Sequence, residues 1–167
     1  MRIATTIVLF GLMLAGTAFA GDDGNGCKLQ GTWIGETPYP SPDNIQYMLK
    51  FFSVFHGTGD TEGTEVTEWI NPVPDPGTAW SNPRGVWEKS GPKQYKYTKR
   101  GYIYAAANGA ILVVVKHTGT FTLVDCNTLV VDTNVEYFTY PDMIPIMCQS
   151  GRGPLQRVLL EEDACQQ

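Results

Sequence analysis

Short runs in which apolar and polar residues alternate recur along almost the whole chain, separated by turn-forming residues. The clearest run lies near the end, where Leu129, Val131 and Val135 share one face while Asp132 and Asn134 share the other. A period of two is typical of a strand with one buried and one solvated face. The 3.6-residue period of an amphipathic helix is almost absent. The sequence therefore predicts an all-β protein.

Nine strands follow from these runs, and their predicted positions are residues 30–36, 46–55, 62–70, 84–89, 94–105, 110–117, 119–124, 128–138 and 154–161. Asn108 and Gly109 form a strong hairpin signal, and residues 125–128 form a second tight reversal. Neighbouring strands are therefore expected to pair antiparallel. Eight strands suffice to close a small barrel. The expected fold is an antiparallel meander closed into an eight-stranded barrel, with an additional C-terminal strand.

The connections between these strands predict which end of the barrel is open. If consecutive strands alternate in direction, one end collects the connections at residues 37–45, 71–83, 106–109 and 125–127. The first two are long and rich in proline, which stiffens a loop at little entropic cost. They carry Tyr39 and Trp80, which we interpret either as a lid over a binding site or as a plug in the barrel end.

Alternation along the strands also predicts which side chains face the lumen. Seven aromatic candidate ligand-binding side chains on the strands share an inward phase: Tyr47, Phe51, Trp87, Tyr95, Tyr97, Phe121 and Tyr137. Together with Tyr39 and Trp80 they fit an apolar pocket for a flat ligand, with hydroxyl groups for oriented hydrogen bonds. They fit a packed core equally well, because a small barrel can be filled by its own side chains.

Two polar residues, Lys99 and His117, also fall at the inward phase. An inward Lys99 would meet a ligand carboxylate or phosphate, so it joins the candidate ligand-binding residues. We favour a bulge around Arg100 and Gly101 that turns Lys99 outward, because glycine inside a strand often marks one. His117 lies beside the turn predicted at Gly119, so we expect it to be an exposed residue at a strand end.

The first twenty residues have the pattern of a cleaved secretion signal. Arg2 supplies the positive charge, residues 3–16 form an apolar run, and Ala18 and Ala20 give the small-residue cleavage pattern. Thr17 occupies the position where a lipoprotein would have its lipid-bearing cysteine. We therefore divide the chain into a signal peptide at residues 1–20 and one domain at residues 21–167. A secreted or periplasmic protein with no integral membrane span is expected.

Charge and cysteine content narrow the possible partners. The chain has 12 basic and 17 acidic residues, which disfavours binding to nucleic acid, because that needs a basic face. Four cysteines in an oxidising compartment favour two disulfides over a zinc site. The predicted strand directions place Cys27 and Cys148 at one end and Cys126 and Cys165 at the other, so these two pairings are expected. The sequence does not determine the oligomeric state.

The triplet Gly31, Thr32 and Trp33, placed before a β-meander of this length, resembles the lipocalin and wider calycin pattern. The resemblance implies a calycin-like barrel in which the tryptophan closes the bottom and an arginine of the last strand packs across it. Arg157 is the better placed candidate and Arg152 the other. Both Trp33 and Arg157 would then have structural roles, since a guanidinium is attracted by the face of an indole ring.

Three functions remain open. The first is a binding protein that holds a small apolar or amphipathic molecule in the lumen, and the second is an isomerase or cyclase on the same barrel. The third is a protein interaction module with a filled core. No nucleophile with its base, carboxylate pair or phosphate loop has an informative spacing, so a binding protein without catalytic residues, cofactor or metal is favoured.

Overall fold

The computed structural model describes residues 26–39, 47–70 and 77–159, and the regular structure in these ranges is all β-strand. The strands are β1 (Gly31–Tyr39), β2 (Tyr47–Gly57), β3 (Glu62–Trp69), β4 (Thr78–Trp80), β5 (Arg84–Gly91), β6 (Gln94–Ala105), β7 (Ile111–Leu123), β8 (Thr128–Thr139) and β9 (Pro145–Arg157). The described ranges contain no helix of the length and apolarity that a membrane crossing requires. The predicted signal peptide and Cys165 lie outside the described residues.

Eight of these strands close into an antiparallel barrel, as the sequence predicts. The hydrogen-bonded order is β6, β5, β3, β2, β1, β9, β8 and β7, and pairing of β7 with β6 completes the ring. The short β4 is bonded to β6 outside the ring, and it pairs Thr78–Trp80 with residues 103–105. The C-terminal strand β9 is a member of the ring between β1 and β8.

The prediction of two separate strands at residues 110–117 and 119–124 is wrong, because β7 runs without interruption through Gly119. Gly119 pairs with Tyr97 on β6 and with Thr133 on β8. A Cβ atom at this position would lie 1.9 Å from the carbonyl oxygen of Asp132. The glycine therefore allows a close approach of the β7 and β8 backbones, and it does not form a turn.

One continuous β7 reverses the direction of every strand that follows it. The connection at residues 124–127 therefore lies at the end of the barrel where β1 begins and β2 ends, which we name the closed end. The prediction that residues 125–127 lie at the mouth is wrong for this reason. The other end, where β1 ends and β2 begins, is named the open end, and it includes residues 106–110 and 140–144.

The same reversal changes the disulfide. Cys27 is joined to Cys126, so the predicted pairing of Cys27 with Cys148 is wrong, and so is that of Cys126 with Cys165. Both bonded cysteines lie at the closed end, where the start of the chain meets the turn between β7 and β8. Cys148 is exposed on β9 and forms no disulfide with a described cysteine. A disulfide is consistent with an oxidising compartment.

The closed end of the barrel is filled by a packed hydrophobic core. Its members are almost fully buried side chains from the ring strands and from the segment before β1: Leu29, Trp33, Phe55, Trp87, Tyr95, Tyr97, Phe121, Leu123, Leu129 and Leu155. The indole nitrogen of Trp33 donates to the carbonyl oxygen of Leu29 at 2.8 Å. The half of the lumen nearer the closed end is therefore a conventional core.

Arg157 packs across Trp33 at this end, which is the contact that the family resemblance implies. Its guanidinium carbon lies 4.4 Å from the centre of the Trp33 ring. The same group donates to the carbonyl oxygens of Cys126 at 2.7 Å and Gln30 at 2.8 Å, and to that of Lys28. One side chain therefore joins the last ring strand to the turn at residues 124–127 and to the segment before β1.

The change Arg157→Met is expected to lower the free energy of unfolding by about 1–3 kcal/mol, because several charge-assisted hydrogen bonds and the contact with the indole face are lost. Arg157→Lys should lose less, since it keeps the charge but not the planar set of donors. Denaturant unfolding at neutral pH measures both changes. Equal stability of wild type and Arg157→Met would contradict this role.

Candidate functional site

A cavity of about 220 Å³ lies inside the barrel on the side of the open end. Its wall includes inward-facing residues of β1, β2, β3, β6, β7, β8 and β9, together with Trp80 of β4. Three of the inward positions on β8 and β9 are small, namely Thr133, Gly151 and Gly153. The lumen is therefore filled at one end and hollow at the other, which neither the open-lumen nor the filled-core prediction describes alone.

A buried polar cluster, which we name the Lys99 cluster, lies beside the cavity. It consists of Ser53 on β2, Glu65 and Thr67 on β3, and Lys99 on β6, none more than 8% exposed. Oε1 of Glu65 accepts hydrogen bonds from Ser53 Oγ at 3.0 Å, Thr67 Oγ1 at 3.0 Å and Lys99 Nζ at 2.7 Å. Lys99 also donates to Thr67 Oγ1 at 2.7 Å. Ser53, Thr67 and Lys99 line the cavity, whereas Glu65 lies behind them.

Lys99 faces the lumen, and the favoured prediction of a bulge around Arg100 and Gly101 is wrong. Strand β6 stays in register with β7 through both residues, and the register shift falls later, between Ile103 and Tyr104. The alternation of buried and exposed positions along β6 continues through Lys99. Pairing with Glu65 explains why a charged side chain tolerates this position, since buried charges need a partner.

His117 lies in the middle of β7, opposite Lys99 on β6 and Val135 on β8, and it lines the cavity. The prediction of an exposed histidine at a strand end is wrong, because Gly119 does not end the strand. Burial lowers the pKa of His117 to about 3, and the charge of Lys99 acts in the same direction. The imidazole is therefore neutral at physiological pH, and such a weak base is poorly suited to take a proton from a substrate.

Aromatic side chains form much of the remaining cavity wall. Of the residues that the sequence predicts for ligand binding, the structure brings six to the cavity: Phe51, Trp80, Tyr97, Lys99, Phe121 and Tyr137. Trp69, which the prediction missed, contacts Phe51 and Trp80 edge to face, with ring centres 5.9 Å and 6.1 Å away. Burial raises the pKa of Tyr97 above its ordinary value, so its hydroxyl group stays protonated.

Four predicted ligand residues are placed differently. Trp87 and Tyr95 belong to the packed core at the closed end, where their rings meet edge to face. The Trp87 indole donates to the carbonyl oxygen of Thr64, and the Tyr95 hydroxyl donates to Asp60. The backbones of Tyr39 and Tyr47 pair with each other at the open end. The side chains of these two tyrosines lie outside the described residues.

The barrel wall is incomplete beside the cavity. Within the described residues, β1 and β9 share only three ladder pairs, between residues 33–35 and residues 155–157. Towards the open end the two strands separate, although both continue. Glu36, Arg152 and Pro154 face outward by alternation, yet all three border the cavity. The cavity therefore reaches the exterior through the gap between β1 and β9.

A second, broader depression lies on the outer face of β3, β5, β6 and β7. Its lining is largely exposed or half-buried and includes Thr64, Thr98, Thr118 and Thr120. It is open to solvent. Tyr97 is the only residue that lines both this depression and the lumenal cavity. The convergence of buried polar groups identifies the lumenal cavity as the better candidate for a ligand site.

Glu65 is the main site residue that sequence reasoning missed. In β3, Val66 faces outward and acidic residues lie on both faces, so the sequence does not show clearly which face is inward. Trp69 is the one indication, because alternation places it on the same face as Thr67 and Glu65. A lysine predicted at an inward position also requires a carboxylate nearby, and only the register of β3, β5 and β6 shows which one supplies it.

The described residues contain no group of three or more histidine, cysteine, aspartate or glutamate side chains arranged to hold a metal ion. The inward-facing polar groups of the cavity include the ammonium group of Lys99, the neutral imidazole of His117 and several hydroxyl groups beside aromatic rings. These groups are suited to binding and orienting a small molecule through hydrogen bonds.

Comparison with known proteins identified no relative. No protein-family model, curated protein or solved structure matches the chain. The functional argument therefore rests on the strand pairing and on the geometry of the cavity.

Proposed function

We propose that the chain is a secreted, lipocalin-like binding protein that holds one small amphipathic molecule in the open half of its barrel. The observation that carries the proposal is the cavity of about 220 Å³, which has aromatic walls and an ammonium group at its inner boundary. Apolar walls with a few convergent polar groups are typical of sites for small molecules. The Trp33–Arg157 contact and the pattern of a secretion signal at residues 1–20 support the assignment.

Cavity size limits the ligand. Pockets for drug-sized molecules occupy about 300–1,000 Å³, whereas a cavity of about 150 Å³ holds a molecule the size of benzene. A cavity of about 220 Å³ therefore suits one aromatic ring with a short substituent. Haem, a retinoid or an extended fatty acid would exceed this volume.

Binding can be followed through the intrinsic fluorescence of the protein. Trp69 and Trp80 both line the cavity, and their rings contact each other edge to face. An aromatic ligand in the cavity should therefore change their fluorescence emission. We expect saturable changes on titration with small substituted benzenes. A flat response across such a series would count against a ligand cavity.

The change Gly153→Leu should block the cavity. A Cβ atom at Gly153 would meet no atom within 4 Å, and the residue lines the cavity, so a larger side chain has room to occupy that space. We expect the variant to fold and to lose about tenfold or more in affinity, which corresponds to about 1.4 kcal/mol. The matched control is Val130→Leu. Val130 faces outward on β8 and is adjacent to Val131, which pairs with Gly153. Equal fluorescence titrations of Gly153→Leu and wild type would contradict binding in this cavity.

A further inference from the structure

Lys99 retains one donor for a ligand. An ammonium group has three N–H donors, and two of them serve Glu65 Oε1 and Thr67 Oγ1, both at 2.7 Å. Among the described residues no third hydrogen-bond acceptor contacts Nζ, although the group lies 5.4 Å from the centre of the Tyr97 ring. Because Lys99 lines the cavity, its remaining donor is available to an acceptor placed there.

His117 supplies a second polar group on the same wall. It is the direct neighbour of Lys99 across the β6–β7 ladder, and no described residue forms a hydrogen bond with its imidazole. The ring is neutral, so one nitrogen donates and the other accepts. A ligand group near Lys99 therefore meets a second donor or an acceptor, according to the tautomer.

The charge balance of the cavity determines which acceptor fits. The carboxylate of Glu65 already neutralises Lys99, and both groups are buried. The two charged residues at the gap are also paired, Glu36 with Lys50 and Arg152 with Asp132. An anionic ligand would find no free cation to neutralise it among these paired residues, and burying its charge would cost several kcal/mol. A neutral oxygen acceptor would accept from Lys99 without that cost.

We propose that the cavity selects a neutral aromatic carbonyl compound, such as an aryl ketone, aldehyde or amide, whose oxygen accepts a hydrogen bond from Lys99. The inference rests on the proposed function, because it specifies the ligand of the same cavity. It also revises the expectation that an inward Lys99 would meet a carboxylate or phosphate. The aromatic ring would lie against Phe51, Trp80 and Phe121.

Three probes of almost equal shape test this selection. Acetophenone is neutral with a carbonyl oxygen, benzoate replaces its methyl group with a charged oxygen, and ethylbenzene lacks the carbonyl. Titration calorimetry of the full mature protein at pH 7.5 should show acetophenone binding about tenfold or more tightly than either of the others. Binding of benzoate as tight as that of acetophenone, or tighter, would overturn the inference. The proposed function would survive that result, because binding in the cavity would still be shown.

The double variant Lys99→Met/Glu65→Gln removes the donor without leaving a buried charge. It should bind acetophenone and ethylbenzene within about threefold of each other, since the Lys99 donor that distinguishes the two probes is gone. An unchanged preference for acetophenone in this variant would overturn the role of Lys99. If none of the three probes binds to wild type by calorimetry or fluorescence, both the inference and the proposed function lose their support.

Discussion

Replacement of Lys99 by methionine is expected to lower the free energy of unfolding by about 3–5 kcal/mol at neutral pH, because it leaves the carboxylate of Glu65 buried without its counterion. The side chain of Glu65 is fully buried, and its Oε2 accepts no hydrogen bond from a described residue. After the change, only the hydroxyl groups of Ser53 and Thr67 would remain to stabilise the charge. Urea unfolding followed by circular dichroism measures the loss.

The double variant Lys99→Met/Glu65→Gln should recover most of that stability. Glutamine keeps an oxygen that accepts from Ser53 and Thr67, and it carries no charge, so the largest penalty disappears. The exposed Lys96→Met on the same strand is the matched control, and it should change stability by less than about 0.5 kcal/mol. A loss in the double variant equal to that in Lys99→Met would mean that the ion pair is not the source of the effect.

Removal of the disulfide with Cys27→Ser/Cys126→Ser is expected to cost about 2–5 kcal/mol. The bond joins residues that are 99 positions apart, so it restricts the unfolded chain strongly. It also ties the segment before β1 to the turn at residues 124–127, where Arg157 binds the carbonyl oxygens of Gln30 and Cys126. Thermal unfolding of wild type and variant, each prepared without reductant, measures the difference.

The control for this prediction is Cys148→Ser, which should leave stability within about 0.5 kcal/mol, because Cys148 is exposed on β9. Peptide mapping of the oxidised protein should recover Cys27 linked to Cys126. Recovery of Cys27 linked to Cys148 would contradict the direction assigned to the strands after β7.

The alternation of residues was sufficient to predict the fold class and much of the cavity wall. Strand β8 shows why: Leu129, Val131, Val135 and Tyr137 share the inward face, and three of them line the cavity. Such a pattern depends only on local sequence and on one face being buried. The position of Trp33 beneath Arg157 likewise agrees with the resemblance carried by a short motif at the start of β1.

The direction of strands was not predictable from local pattern where a glycine interrupted it. Glycine is typical of turns, so Gly119 is predicted to end a strand. It lies inside β7, where close contact with the β8 backbone leaves no room for a Cβ atom. One wrong turn reversed the later strands, and this error accounts for the misplaced residues 125–127 and for the wrong cysteine pairing. Errors of this kind arise because each turn reverses the chain, so one turn predicted in excess reverses every strand that follows.

The Lys99 cluster depends on long-range register, so alternation alone could not identify it. Lys99 and Glu65 are 34 residues apart, and they meet because Gly85 on β5 lies between them in the ladder. The sequence predicts a lysine at an inward phase without identifying a partner for it, and an unpaired inward lysine is less favourable than a bulge. The local pattern therefore favours the bulge, which is the wrong alternative.

Native mass spectrometry of the mature protein, exported by a bacterial host and compared before and after organic extraction, tests the ligand cavity most directly. We expect wild type to carry one small removable adduct, and Gly153→Leu, in which the cavity is filled, to carry none. A bare mass for both proteins, unchanged after exposure to acetophenone, would contradict a ligand-binding barrel.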